Sequence, residues 1–366
     1  MDASVILQLV AGLALLIIGG EFLVRGASRL AAAAGLSPLV IGLTVVAFGT
    51  SAPEMAASVT AALQGRGDIA FGNVVGSNIF NVLFILGVSA LVVPLAVSRK
   101  LVRSDVPIMI GVSALVFAMG YDGWIGRWDG IVLVGGLAAY VLYSMRVARG
   151  DSPRADEKHP ERGAGQPAGS GRIVVNVVLI GAGLAVLVLG SRWLVDGAVV
   201  VARALGVSEL IIGLTIVAAG TSLPEVATSV LAAIRRETDI AVGNVVGSNI
   251  FNILGVLGLS GAVAPDGVSV SPIALRFDVP VMIATAVACA PIFFTDSRIS
   301  RWEGALFFAY YAAYTAFLVL DATRHDALPA LSWVLLGFAV PLTALALVAG
   351  TLQGLRARRG KGSREP

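Results

Sequence analysis

A duplicated pair of sequence blocks constrains this chain more than any other feature. Residues 42–63 and 213–234 are identical at 15 of 22 positions, and residues 68–89 and 239–260 are identical at 17 of 22. Both pairs are separated by the same offset of 171 residues. A long match at a constant offset predicts two copies of one structural unit, so the fold of one copy must also be the fold of the other.

The repeat and the composition of its flanks predict the organisation of the chain. The expected parts are a first repeat at 1–148, a flexible polar loop at 149–171, a second repeat at 172–322, and a terminal segment at 323–366. The loop is rich in Pro and Gly and has no apolar face. The terminal segment contains a further apolar run followed by a basic tail, which we expect to be an extra transmembrane helix and a cytoplasmic extension.

The composition indicates a membrane protein. The chain is 57% hydrophobic and 13% charged, whereas about a quarter of the residues of a typical soluble domain are charged. Its apolar runs are continuous and exceed 18 residues, as in membrane helices, and they lack the alternation of a β-barrel. The spans are expected near 5–33, 36–63, 69–97, 105–120 and 127–147, then 173–204, 207–234, 240–263, 276–294 and 302–320, with an eleventh near 330–352.

Five spans in each copy have a topological consequence. Because five is odd, the second copy must enter the membrane from the opposite side, which is the inverted-repeat architecture of many secondary transporters. The predicted fold is therefore an all-α polytopic membrane protein with two inverted five-helix repeats, a ten-helix core, and one extra C-terminal transmembrane helix. The sequence is compatible with a protein that acts as a monomer.

The placement of basic residues predicts the orientation. With the N-terminus outside, 20 of the 26 Lys and Arg residues fall on the inner side, as the positive-inside rule requires. We expect a multi-pass protein of the inner or plasma membrane with its N-terminus outside and its C-terminus inside. The basic residues lie in short loops and the tail, so they indicate topology and contact with the lipid bilayer, and no nucleic-acid partner is expected.

Several kinds of site are excluded by residue counts. Cys289 is the single cysteine, so cysteine-based zinc sites and iron–sulfur clusters within one chain are excluded. The two histidines, His159 and His325, fall in polar loops, which makes a histidine metal site improbable. We expect no cofactor and no enzymatic activity.

A Gly-Thr-Ser-x-Pro-Glu element in the second span of each copy is the candidate functional feature. Pro53 and Pro224 lack an N–H and clash with the preceding turn, so each span should break and free carbonyl oxygens at membrane depth. Glu54 and Glu225 follow at once. An ionisable residue deep in a membrane helix is costly and indicates a functional site, and duplication of its whole context argues against a packing role.

Helical spacing collects further oxygens near each glutamate. Thr50, Ser51 and their counterparts Thr221 and Ser222 can share a face with the carboxylates. Four-residue spacing aligns a second set in the third spans, namely Asn73, Ser77 and Asn81 with Asn244, Ser248 and Asn252. All of these are hard oxygen donors, which suit Ca²⁺ or Na⁺ and not soft metals.

Simpler roles compete for some of these residues. A lone membrane Ser or Thr usually bonds to its own helix, and Asn73 and Asn244 are interpreted as structural, tying down the broken backbone. Asp105 and Asp278 open a span with proline two residues later, which favours helix caps.

The motifs GTSAPE…GNVVGSNIFN and GTSLPE…GNVVGSNIFN resemble the α-repeats of the sodium/calcium exchanger family, of the prokaryotic type, within the calcium/cation antiporter superfamily. The similarity covers about residues 1–322. It implies antiport of Ca²⁺ against Na⁺ by alternating access, at a central site between the repeats. The implied ligands are Glu54, Glu225, Thr50, Ser51, Thr221, Ser222, Ser77, Ser248 and Asn81, with the carbonyls of Ala47 and Ala218. Asn252 completes the set, at a position where some prokaryotic members carry Asp.

The coupling ion is expected to be Na⁺, with a Ca²⁺/H⁺ or K⁺-dependent cation antiporter as the alternative. A proton needs only a carboxylate, whereas the many neutral oxygens here suit a metal ion. Cation/proton exchangers of the superfamily typically carry an acid in a GNxxE pattern, where this chain has Gly76 and Gly247. A passive cation channel is a remote alternative, which the inverted repeat with broken helices disfavours.

Overall fold

The computed structural model describes residues 3–34, 36–150, 170–206, 216, 218–335, 337 and 340–341. These residues are predominantly helical. The helices are α1 Ala3–Ala34, α2 Pro38–Thr50, α3 Ala52–Leu63, α4 Gly67–Val92, α5 Leu101–Asp122, α6 Arg127–Gly150, α7 Ser170–Ala204, α8 Ala218–Gly220, α9 Leu223–Ile234, α10 Thr238–Val263, α11 Ala274–Asp296, α12 Arg301–Ala322 and α13 Leu328–Val334.

Eight helices in the described part of the chain are long and apolar enough to cross a membrane. The pair α2 and α3 adds a ninth as a bent span. The polytopic all-α membrane fold is therefore confirmed. The predicted span at 207–234 is represented by α8 and α9, because residues 207–215 lie outside the described residues. For the predicted eleventh span only the region around α13 is described, and the loop at 151–169 and the basic tail also lie outside.

The predicted break in the second span is a bend of 45° between α2 and α3. Ser51 stands at the bend with φ −76° and ψ 3°, and Ser222 precedes α9 with a similar φ of −89° and ψ of 7°. In both cases proline is the second residue of the following helix, a position where its missing N–H costs no helical hydrogen bond. Each break therefore starts a new helix whose first turn contains the glutamate.

Two very short strand pairs, which the sequence did not predict, connect the copies. Leu95–Ala96 (β1) pairs antiparallel with Arg298–Ile299 (β4), and Trp124–Ile125 (β2) pairs with Val268–Ser269 (β3). Each pair joins the loop before the fourth span of one copy to the loop after the fourth span of the other. Those two loops can lie on one side of a membrane only when the copies run in opposite directions. The pairing thus supports the inverted arrangement.

The core of the molecule is formed by α4 and α10. Residues 240–258 of α10 are all buried, and α4 is buried over most of its length. By contrast, most residues in the apolar windows of α1, α6 and α12 are not buried, as expected for helices that face lipid. The polar residues of the two duplicated blocks are therefore at the centre of the protein, away from lipid.

The long helices α1 and α7 pack against each other through glycine. A Cβ added at Gly19 would lie 2.7 Å from the backbone nitrogen of Leu187, and one at Gly183 would lie 2.7 Å from that of Leu23. Gly12 and Gly190 form the same kind of contact elsewhere along the two helices, where a Cβ added at Gly190 would lie 2.9 Å from the carbonyl oxygen of Gly12. We call this glycine-lined contact between α1 and α7 the seam. Small residues allow this backbone approach in membranes.

The prediction that Asp105 and Asp278 cap helices was wrong. Neither side chain forms a capping hydrogen bond. Instead, the hydroxyl of Tyr140 donates to Asp105 at 3.2 Å and that of Tyr314 donates to Asp278 at 2.7 Å. The α5 helix begins earlier than expected, at Leu101, so Asp105 lies within a helical segment where the first-turn N–H groups are already out of its reach.

Candidate functional site

The two glutamates of the repeated element lie in the first turns of α3 and α9. Glu54 and Glu225 are each only 1% exposed, so both carboxylates are buried inside the protein. The breaks place them there, because each helix restarts directly before its glutamate and points the side chain inward between the copies.

The serines that precede the glutamates bond across the two copies. Ser222 Oγ donates to Glu54 Oε1 at 2.9 Å, and Ser51 Oγ donates to Glu225 Oε1 at 3.5 Å. Ser222 Oγ also lies 3.3 Å from Ser77 Oγ, on α4. Each carboxylate is therefore held by a hydroxyl of the opposite copy, and the two copies build a single site.

Threonine and asparagine extend this site towards α10. Thr50 Oγ1 donates to Asn244 Oδ1 at 3.1 Å and lies 3.5 Å from Ser248 Oγ. The same hydroxyl also approaches the carbonyls of Val46 at 3.2 Å and Ala47 at 3.4 Å. The Thr50 hydroxyl thus lies within hydrogen-bonding distance of carbonyls of its own helix, as an isolated membrane threonine would, and it also contacts the opposite copy.

Asn73 and Asn244 have the structural role that was predicted for them. Asn73 Nδ2 donates to Ser58 Oγ at 2.9 Å and reaches the Glu54 carbonyl at 3.5 Å. Asn244 Nδ2 donates to Ser229 Oγ at 3.0 Å. Both amides fix the helix that carries a glutamate, so they position the carboxylates. The serine partners were not predicted, although the repeat also duplicates them.

Five side-chain oxygens in the site are buried and have no hydrogen-bond partner. They are Glu54 Oε2, Glu225 Oε2, Thr221 Oγ1, Asn81 Oδ1 and Asn252 Oδ1. Buried acceptors without donors are rare in proteins because each loses its hydration without replacement. Their concentration between the two copies indicates a place for a positively charged partner.

The electrostatics agree with that conclusion. Within the described ranges, neither carboxylate takes part in an ion pair, and no cluster of three or more His, Cys, Asp or Glu side chains is present. Two carboxylates in a dry setting without basic partners are energetically costly unless a cation balances them. Two negative charges and many neutral oxygens match the hard donors that Ca²⁺ and Na⁺ prefer.

Most of the predicted site residues are brought together, but the backbone carbonyls differ from expectation. The carbonyl of Ala47 accepts from the Ser51 N–H at 3.0 Å and also lies 3.4 Å from the Thr50 hydroxyl. Gly220 lies four residues before Pro224, where the break should free a carbonyl, and its carbonyl accepts from Ser191 Oγ of α7 at 2.6 Å. Ala218 begins α8.

Comparison with known proteins places this geometry in a family. The family model described as "Sodium/calcium exchanger protein" matches residues 4–146 and 175–320. The two matched segments coincide with the two sequence repeats and include every candidate site residue.

Curated relatives match over long stretches. The sodium/calcium exchanger MaX1 of Methanosarcina acetivorans is 34% identical over 349 residues, which is 85% of this chain and 97% of that protein. The putative antiporter CaxA of Alkalimonas amylolytica is 40% identical over 249 residues, covering 66% of this chain and 76% of the relative. The inner membrane protein YrbG of Escherichia coli K12 is 36% identical over 219 residues, covering 60% and 67%.

Solved structures share the fold. The sodium-calcium exchanger NCX_Mj, in a crystal soaked with Na⁺ and Ca²⁺, has 31% sequence identity and a TM-score of 0.73 over 86% of this chain and 99% of that chain. The fold and the matched segments agree that this is a multi-pass membrane antiporter of Ca²⁺ and other cations, a transporter that needs no cofactor. The chain belongs to the sodium/calcium exchanger family.

Proposed function

We propose that the chain exchanges Ca²⁺ for Na⁺ across the membrane by alternating access at the site between the two repeats. The proposed ligands are the side chains of Glu54, Glu225, Thr50, Ser51, Thr221, Ser222, Ser77, Ser248, Asn81 and Asn252, together with the carbonyls of Ala47 and Ala218. Ca²⁺ and Na⁺ are transported substrates that occupy overlapping positions there.

The observation that carries this proposal is the group of buried oxygens without partners around two unpaired carboxylates. One Ca²⁺ or several Na⁺ ions would satisfy these oxygens and balance the charge. Binding of either ion at overlapping positions makes the two ions competitors, which is the requirement for exchange through one site.

Coupling follows from the cost of the empty site. A site that closes around two bare carboxylates loses their hydration, so closure is favourable only when cations are bound. The site then changes the side of the membrane to which it is open only when either substrate is bound. The glycine seam between α1 and α7 supports these helices as the moving pair, because their backbones approach closely at several glycines.

The neutral oxygens favour Na⁺ over H⁺ as the coupling ion. A proton would be bound by a carboxylate alone and would leave the Thr and Asn oxygens unsatisfied. The packing around Gly247 adds support, because a Cβ there would lie 2.7 Å from the Leu43 carbonyl oxygen and 2.8 Å from the Ala47 Cβ. A glutamate, which cation/proton exchangers of the superfamily typically carry at this position of the pattern, would not fit at Gly247 without a backbone shift, whereas a Cβ at the equivalent Gly76 would meet nothing within 4 Å.

Equilibrium binding to the purified protein tests the proposal. Radioactive Ca²⁺ should bind at constant pH, and Na⁺ should displace it while equal ionic strength of choline does not. K⁺ and acid are added in separate arms. Displacement by acid or K⁺ with no effect of Na⁺ would contradict Na⁺ coupling, and unchanged Ca²⁺ binding in Glu54→Gln and Glu225→Gln would contradict the site.

A further inference from the structure

A second layer of asparagines lies behind the proposed ligands. Asn78 of α4 and Asn249 of α10 are 1% and 2% exposed and are not among the ligands. We propose that they are positioning residues: each fixes the amide of a ligand from the opposite copy, so that the ligand's Oδ1 faces the ions. Asn78 acts on Asn252, and Asn249 acts on Asn81. The inference rests on the proposed function and extends it.

The orientation of the two amides is decided by their backbone partners. Asn78 Nδ2 lies 3.3 Å from the carbonyl oxygen of Asn249, and Asn249 Nδ2 lies 3.4 Å from the carbonyl oxygen of Asn78. A carbonyl oxygen can only accept a hydrogen bond, so the nitrogen of each side chain must be the atom that points at it. An amide flip, which is the usual ambiguity for asparagine, would place two acceptors against each other.

The second N–H of each amide is directed at a methionine. Asn78 Nδ2 lies 3.6 Å from Met282 Sδ of α11, and Asn249 Nδ2 lies 3.5 Å from Met109 Sδ of α5. The sulfur is a weak acceptor, but both methionines are buried and exclude water. Both donors of each positioning amide are thus used, and only its Oδ1 remains to face the ligand amide.

The Oδ1 atom of each positioning asparagine accepts a hydrogen bond from the amide of a proposed ligand residue. Asn252 Nδ2 donates to Asn78 Oδ1 at 3.2 Å, and Asn81 Nδ2 donates to Asn249 Oδ1 at 3.0 Å. With their nitrogens held, Asn252 and Asn81 must turn their Oδ1 atoms the other way. Both of these oxygens are buried and without a hydrogen-bond partner. A ligand amide released from this hold could turn an N–H towards the cation, which would repel it.

The coupling crosses between the copies. Asn78 is three residues from Asn81 in the same helix, yet it holds Asn252 of the other copy. A residue that only stabilised the helix crossing would affect both ligands alike. A positioning residue should be coupled to one ligand and independent of the other.

Double-mutant cycles on Ca²⁺ exchange in proteoliposomes test this pattern. Asn78→Ala should raise the KM for Ca²⁺ by about tenfold, the scale on which residues behind metal ligands act, with a smaller effect on kcat. In an Asn252→Ala background the same change should have little further effect on KM. In an Asn81→Ala background it should keep its full effect. The mirror cycle pairs Asn249→Ala with Asn81→Ala.

The controls separate this inference from the proposed function. Asn73→Ala lies in α4 as well and bonds to Ser58, so its effect should add to that of Asn252→Ala. If Asn78→Ala is not recovered folded, Asn78→Ser, which keeps a hydroxyl, enters the same cycle. If the wild-type protein shows no Ca²⁺ exchange in this assay, the proposed function is overturned. Normal wild-type exchange, with Asn78 and Asn252 effects that simply add, would overturn the positioning role alone.

Discussion

The two central carboxylates are expected to lower the stability of the protein without ions, while they provide charge for cation binding. Glu54 and Glu225 each accept one serine hydroxyl while their Oε2 atoms have no partner. Uncompensated buried charge is destabilising, and its replacement by a neutral group of the same shape is commonly neutral or favourable. The binding site should therefore be a weak point of the empty protein and a stable one when ions are bound.

Glutamine at either position should separate these effects. Glu54→Gln and Glu225→Gln are expected to abolish Ca²⁺ exchange while the unfolding free energy without ions stays equal or rises by about 1–3 kcal/mol. Ca²⁺ at 100 times its Kd should stabilise the wild type by about 2.7 kcal/mol and the variants by none. Thermal unfolding with and without Ca²⁺ measures both quantities. Variants that unfold earlier without ions, or that still gain stability from Ca²⁺, would contradict this account.

At the residue level, the sequence pointed to the candidate residues that share a single helix face. Spacing of four residues selected Ser77 and Asn81, and duplication identified their counterparts. The same spacing missed Asn78, which lies on the neighbouring face and acquires its role only through atoms of the other copy. Contacts between segments 171 residues apart cannot be obtained from local periodicity.

At the scale of helices, glycines bring the backbones of α1 and α7 into direct contact along the seam. Gly19 and Gly190 correspond at the 171-residue offset of the repeat, as do Gly12 and Gly183, and all four lie at this contact. Breaks at proline were also predictable, since proline acts through local geometry. The two-residue strands were not, because their pairing depends on loops that meet only in the folded protein.

Two alanine substitutions on one helix test the seam. Gly183→Ala places a Cβ 2.7 Å from the Leu23 nitrogen and 2.8 Å from the Gly19 oxygen. These backbone atoms cannot yield cheaply, so we expect a loss of about 1–3 kcal/mol in stability and slower exchange. Gly181→Ala, two residues away with nothing within 4 Å, is the matched control and should be neutral. Equal exchange rates and melting temperatures for the two variants would show that the close approach is unimportant.

For the whole molecule, inversion of the repeats explains why one site can be built from two copies. Each contact of Ser222 with Glu54 has its counterpart in Ser51 with Glu225. The odd number of spans predicted the inversion, and the strand pairs between the loops agree with it. Which side of the membrane each end occupies is a separate question that charge placement addresses.

The orientation remains a prediction, with the N-terminus outside and the C-terminus inside. It follows from the 20 of 26 basic residues assigned to the inner side and from the positive-inside rule. A reporter fused after Pro366 should be active only in the cytoplasm. Activity on the outer side alone would refute the assigned topology, and a second reporter in the central loop would show whether the extra span or the whole core is misassigned.

Exchange driven by a Na⁺ gradient tests the central claim most directly. Purified protein in proteoliposomes, with pH and voltage clamped, should take up Ca²⁺ when an outward Na⁺ gradient is the only driving force. Glu54→Gln vesicles serve as the inactive control, and K⁺ is supplied in a parallel series. The account predicts uptake that rises with the Na⁺ gradient and stops when the gradient is dissipated. No uptake on a Na⁺ gradient, together with uptake on an outward proton gradient, would contradict it and identify a Ca²⁺/H⁺ antiporter.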